Sequence, residues 1–155
     1  MTPYPTLEML IGKAVSHVWT DYSALFIELG KLNEGKIHRN GVKGNPTGEI
    51  TLFAGYGWRL ERIRSVIAGS NCSSKKRNTI TQKLRNSIIE DVQISSRIPE
   101  LQIKFSNGFW LVTFDADSGQ PDWSVGFNAL GGEYLAVVRG KLHVDKRRAE
   151  HDFRK

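Results

Sequence analysis

Apolar and polar residues alternate with a period of two along several windows of this chain, the spacing that turns one face of a β-strand to a core and the other to water. The clearest windows are Ala24 to Leu29, Leu101 to Phe105 and Glu133 to Val138. Trp110 to Phe114 is another, and the Asn107-Gly108 pair before it predicts a tight hairpin turn. Ile50 to Phe53 and Trp58 to Ile63 flank Ala54-Gly55-Tyr56-Gly57, which reads as a further turn or bulge. Helical periodicity is sparse: a short turn over Thr6 to Leu10 and a short helix over Thr79 to Leu84. The pattern predicts an α+β fold that is mainly antiparallel β.

Set side by side, the two halves predict an internal repeat over residues 10–70 and 84–144. Leu10, Gly12, Val15 and Val18 match Leu84, Asn86, Ile89 and Val92 at an offset of 74, while Leu25, Ile27 and Leu29 match Leu101, Ile103 and Phe105 at 76. A two-residue difference in the intervening turn aligns both groups. Each half then reaches a tryptophan strand, Trp58-Arg59-Leu60 in one and Trp123-Ser124-Val125 in the other. Two such units fit pseudo-symmetric β-rich halves better than a solenoid, which needs three or more repeats. Chance likeness between strand patterns is the competing explanation. The expected organisation is one β-rich domain over 1–145 and a charged tail over 146–155. Lys31 to Gly48, rich in glycine and asparagine, reads as a long, mobile loop.

Composition narrows the classes. With 155 residues and 39% apolar content, the chain can bury one core. No run approaches the roughly 18 apolar residues of a membrane helix. Met1 to Pro5 lacks a basic segment before an apolar run, so a cytoplasmic protein is expected. Six Lys or Arg against three acids in Lys141 to Lys155 supply half of the net charge of +6, and the preceding residues hold 16 basic and 13 acidic side chains. The basic character therefore belongs partly to an appendage. A single cysteine, Cys72, excludes a disulfide framework and a multi-cysteine zinc site, and its turn-rich surroundings suit a bystander thiol.

Asp115, Asp117 and Asp122 crowd the stretch FDADSGQPDW between two strands. An EF-hand loop would need flanking helices and a distal bidentate glutamate, so a polar hairpin tip is the reading, with no metal and no cofactor expected. His17, His38, His143 and His151 are scattered and lack zinc-site spacing. In GWRLERIR, Gly57 to Arg64, alternation places Trp58, Leu60 and Arg62 on one face and Arg59, Glu61 and Ile63 on the other. A tryptophan beside arginines can stack on a base or on a partner's ring, whereas a core tryptophan with an Arg59–Glu61 ion pair is the plainer reading. Lys75-Lys76-Arg77 and Lys146-Arg147-Arg148 suit phosphates without any accompanying nucleic-acid motif. Phosphate-loop, nucleotide-fold, serine-hydrolase and kinase signatures are absent, so no enzyme is expected.

The segments IGKAVSHV, ALFIELG, GEITLF, GWRLERIRSVIAGS, LRNSIIEDVQIS, LQIKFSNGFWLVTF and DWSVGF together resemble a group of small bacterial domains of uncharacterised function. That group has a Gly-Glu strand, a Trp-Arg-x-Glu strand followed by a Gly-Ser turn, and a Phe-x-x-Gly hairpin leading to Asp-Trp. The likeness spans Leu10 to Val138. Such domains are similar in style to immunity proteins of bacterial toxin systems, which bind a toxin and carry no chemistry of their own. The resemblance implies a non-catalytic protein-binding module whose partner, a toxin domain, meets this basic chain with an acidic patch. The expected contact surface joins the Lys31 to Gly48 loop with Trp58, Arg59, Glu61, Arg62, Arg64 and Lys76. The alternative is a nucleic-acid binder using its basic residues and C-terminal tail, and no membrane partner is expected.

Overall fold

The computed structural model describes residues 5–146. After a 3-10 turn at Leu7–Leu10, β1 (Val15–Asp21), β2 (Ala24–Leu29) and β3 (Ile50–Ala54) form an antiparallel meander, and β4 (Trp58–Arg62) and β5 (Ser65–Gly69) form a hairpin. Helix α1 (Ser74–Thr81) and a 3-10 turn at Gln82–Leu84 lead to a second meander of β6 (Ile89–Ser95), β7 (Glu100–Phe105) and β8 (Phe109–Thr113). A second hairpin follows, β9 (Trp123–Phe127) and β10 (Glu133–Val138), extended by β11 (Lys141–Asp145). Among the described residues no helix is long and apolar enough to cross a membrane.

Each meander accepts the hairpin of the other half. The described residues thus form a six-stranded sheet, β1-β2-β3-β9-β10-β11, and a five-stranded sheet, β5-β4-β8-β7-β6. The two halves are pseudo-symmetric in register as well as in topology. Val15 faces Leu29 and Ile89 faces Phe105, each pair followed by a bulge, and Ala54 faces Trp123 as Thr113 faces Trp58. The turn between β1 and β2 has two residues, Tyr22-Ser23, and that between β6 and β7 has four, Ser96 to Pro99. This is the two-residue step between the offsets of 74 and 76. Where the halves meet, Gly12 N donates to Ile89 O at 2.8 Å and Asn86 N to Val15 O at 2.9 Å, reciprocal bonds around an Ala14–Ile88 bridge. Gly12 and Asn86 occupy the same place and both have positive φ, a conformation that glycine and asparagine tolerate best.

The alternation read from the sequence sorts side chains onto one shared core. Val15, Val18, Leu25, Ile27 and Leu52 from the first sheet pack with Leu60, Leu101, Ile103, Phe105 and Leu111 from the second. Trp58 and Trp123 lie at its centre, where their indole N–H groups donate to Ser23 O at 2.7 Å and Pro99 O at 3.1 Å. Each large aromatic buries on the order of 200 Å², several kcal/mol of apolar transfer, and the hydrogen bond removes the cost of sealing in its N–H.

Three local features differ from the sequence expectation. Helix α1 begins at Ser74 rather than near Thr79, because the Ser73 hydroxyl caps it by accepting from Lys76 N at 3.2 Å. The edge strands β5 and β11 carry exposed residues at successive positions, so their alternation is faint in the sequence. The segment Lys31 to Gly48 is a hydrogen-bonded ribbon: Asn33 and Thr47 exchange N–H···O bonds of 2.7 and 3.0 Å, and His38 N donates to Val42 O at 2.8 Å. Of the charged tail over 146–155, all but Lys146 lies outside the described residues.

Candidate functional site

The residues singled out from GWRLERIR do not share a surface. Trp58 is 0% exposed, because its place in β4 puts it with Leu60 on the core face, and it cannot touch a partner. Arg59 and Glu61 take the outer face of the five-stranded sheet and pair with each other at 2.7 Å. The Arg59 guanidinium also lies 5.7 Å from the centre of the Phe114 ring. Arg62 and Arg64 are exposed around the β4–β5 turn. Lys76 sits on the first turn of α1 and borders a shallow groove with Arg59, Cys72 and Phe114. Its neighbour Arg77 is 8% exposed and turns inward, donating to Ser70 O and Cys72 O, so the Lys75-Lys76-Arg77 run is not one surface patch.

The aspartates part company as well. Asp115 Oδ1 accepts from Asp117 N at 2.8 Å, closing a local turn, while the Asp122 carboxylate packs over Gly55. Among the described residues no three His, Cys, Asp or Glu side chains converge to hold a metal ion. Burial pushes the nearby Glu100 carboxyl up, against the Thr113 hydroxyl and the Asp115 N–H that favour its charged form.

A cleft of about 610 Å³ opens on the outer face of the six-stranded sheet. Its wall is an aromatic row on three adjacent strands: the Trp19 and Phe26 rings stack face to face with centroids 3.9 Å apart, and Phe53 follows at 5.1 Å in a tilted contact. Tyr134 on β10 forms the opposite wall, and Ser124 and Gly126 on β9 make a low floor between them. A Cβ added at Gly126 would meet nothing closer than Asn128 Oδ1 at 3.7 Å, so the backbone does not demand glycine there. The missing side chain is what keeps the floor open.

Glu28 braces the polar end. Its carboxylate, 2% exposed, accepts from Trp19 Nε1 at 3.1 Å, from Gly48 N at 3.1 Å and from the Thr51 hydroxyl. Three donors satisfy a buried carboxylate that would otherwise be costly to desolvate. Asn128 Nδ2 donates to Gly48 O and to Thr51 Oγ1, both at 2.9 Å. Glu28 and Asn128 therefore fix the root of the ribbon against the cleft. At the same root the Lys31 N–H, and then the Lys13 ammonium 3.7 Å away, hold the Glu49 carboxyl below its usual range.

The second half serves as an internal comparison. The positions of Trp19, Phe26 and Phe53 are taken there by Gln93, Gln102 and Val112, and those of Ser124 and Gly126 by Arg59 and Glu61. The topology thus forms without the three-ring aromatic row and with a filled floor, its one outer-face tryptophan, Trp110, standing where Thr51 lines the cleft and lying 5.9 Å from Lys104 Nζ. Sequence reasoning missed these residues because Leu25-Phe26-Ile27 is apolar on both faces and its alternation cannot say which face is the core. Such a double-sided run in a strand that pairs on both edges was the signal available. Comparison with protein-family models, with curated proteins and with solved structures finds no match.

Proposed function

We propose that this chain is a non-catalytic protein-binding module that acts by direct contact, in the manner of an immunity protein holding a toxin, and that the cleft on its six-stranded sheet is the contact site. One observation carries the reading: two halves with the same topology share a core pattern, yet only one sheet bears an aromatic wall over an open floor. Residues that the fold can do without are free to serve recognition. Tryptophan, tyrosine and other aromatics lining a pocket are the usual anchors of protein interfaces, since they offer large contact area at small entropic cost. Glu28 has its lone pairs occupied by three donors, which suits a brace better than a proton-transfer group.

Gly126→Val tests the proposal. A Cβ at this position meets nothing closer than 3.7 Å, and valine suits an extended strand such as β9, so the fold is expected to survive. Tagged wild-type and variant proteins are exposed to a nuclease-treated extract of the producing cells, and the bound proteins are quantified. The expected result is one near-stoichiometric protein on the wild type, reduced about tenfold or more on the variant. Equal recovery on both, or nucleic acid alone in extracts left untreated, refutes the site. Reversal of charge at Arg62 and Arg64, which flank the other sheet, is expected to leave the capture unchanged and controls for simple charge attraction.

A further inference from the structure

We infer that the ribbon of residues 31–48 is a docking finger that enters an acidic groove on a protein partner. The inference rests on the protein-binding reading above and names the kind of surface that the partner presents.

The first argument comes from the repeated topology. Leu29 and Ile50, the last residue of β2 and the first of β3, correspond to Phe105 and Phe109 of β7 and β8. The second half joins those strands through Ser106-Asn107-Gly108, a three-residue turn in which Gly108 has a φ of +87° and its N–H donates to Phe105 O at 3.1 Å. The first half spends residues 30–49 on the same connection. The sheet does not require this length.

The second argument is chemical. The ribbon holds Lys31, Lys36, Arg39 and Lys43 against Glu34, while the rest of the described chain is nearly neutral, with 14 basic and 13 acidic side chains. Its tip also exposes aliphatic surface: Ile37 is 75% exposed and Val42 57%. Ile37 pairs with Lys43 and His38 with Val42, so the two apolar residues fall on opposite faces, and so do Lys36 and Lys43. A finger placed between two walls is expected to carry charge and apolar surface on both. The tip carries no phenylalanine, tyrosine or tryptophan, the main platforms for stacked bases, its one ring being the His38 imidazole beside Arg39, which favours a protein groove over a single-stranded nucleic acid. Glu28 and Asn128 hold the root, limiting the entropy lost when the tip docks.

The test uses the intact protein and a defined probe, a fluorescent peptide of alternating glutamate and leucine, with the lysine–leucine peptide and an oligothymidylate as comparisons. Two variants are compared with wild type: residues 30–49 replaced by the chain's own Ser-Asn-Gly turn, and Ile37→Ser with Val42→Ser, which alters only exposed side chains. The Glu/Leu peptide is expected to bind with an affinity that falls as salt is added, to lose about 30-fold on turn replacement and about tenfold on the double substitution. Absence of binding, or unchanged affinity in both variants, overturns the finger. Preference for the oligothymidylate, lost on turn replacement, overturns it in favour of nucleic acid. If Gly126→Val releases the captured partner while the Ile37→Ser and Val42→Ser variant, which leaves the cleft lining intact, does not, the finger fails and the cleft stands. If neither change releases it, the cleft reading fails too.

Discussion

Trp58 and Trp123 provide the strictest check on the pseudo-symmetric core. Each is buried, each begins a strand contributed to the other half's meander, and each donates its indole N–H to a backbone carbonyl in the equivalent turn. Replacing either by phenylalanine removes that hydrogen bond and leaves a part-buried carbonyl without its donor, a cost of about 1–3 kcal/mol. It also removes about 40 Å³ of ring, adding about 1 kcal/mol for a cavity that relaxes only in part. Each variant is therefore expected to lose about 2–4 kcal/mol, a large share of the 5–15 kcal/mol typical of a domain. Equilibrium unfolding in urea measures this directly, as a lower midpoint at an unchanged slope. A loss below about 1 kcal/mol in either variant, or losses that differ by more than about 2 kcal/mol, would refute the claim that the two sites are equivalent.

Replacing residues 30–49 by Ser-Asn-Gly shortens the loop, which contributes about 1.5–2 kcal/mol of closure entropy. It also removes bonds involving Gly48 and Glu49, to Glu28, Asn128 and Ala129, worth about 1 kcal/mol each, so the melting temperature should shift by only a few degrees. Glu28→Leu leaves Trp19 Nε1, Gly48 N and the Thr51 hydroxyl without their acceptor and should cost about 3 kcal/mol, with a changed near-ultraviolet circular dichroism signal from Trp19. Burial raises the Glu100 carboxyl, so the folded state holds the proton more tightly than the unfolded chain and stability falls as pH rises above the ordinary value of 4.5. Glu100→Gln should therefore melt higher than wild type at about pH 7 and equally at about pH 4, and the reverse order would contradict the burial argument.

The sequence by itself determined the central strands and which side of most of them is buried, and left the edge strands β5 and β11 faint. Alternation is a local property, and Leu101, Ile103 and Phe105, set between Gln102 and Lys104, needed only their neighbours to declare a core face. The offsets of 74 and 76 were equally legible, because the repeated pattern lies along the chain. Only the tertiary structure decided that each hairpin is given to the opposite meander. That exchange pairs Ala54 with Trp123 and Trp58 with Thr113, contacts between residues far apart whose side chains carry no mark of their partner. It also decided the fate of the candidate surface. In Trp58 the sequence offered a core residue and a binding residue at once, and burial against the second half settled it as core. Trp19, Phe26 and Phe53 became a wall only when β2 and β3 aligned them across strands, and Gly126 became a floor only when β9 was inserted beside β3. Pairing energy is spread over residues distant in sequence, so a site built across strands has no local signature until the sheet closes.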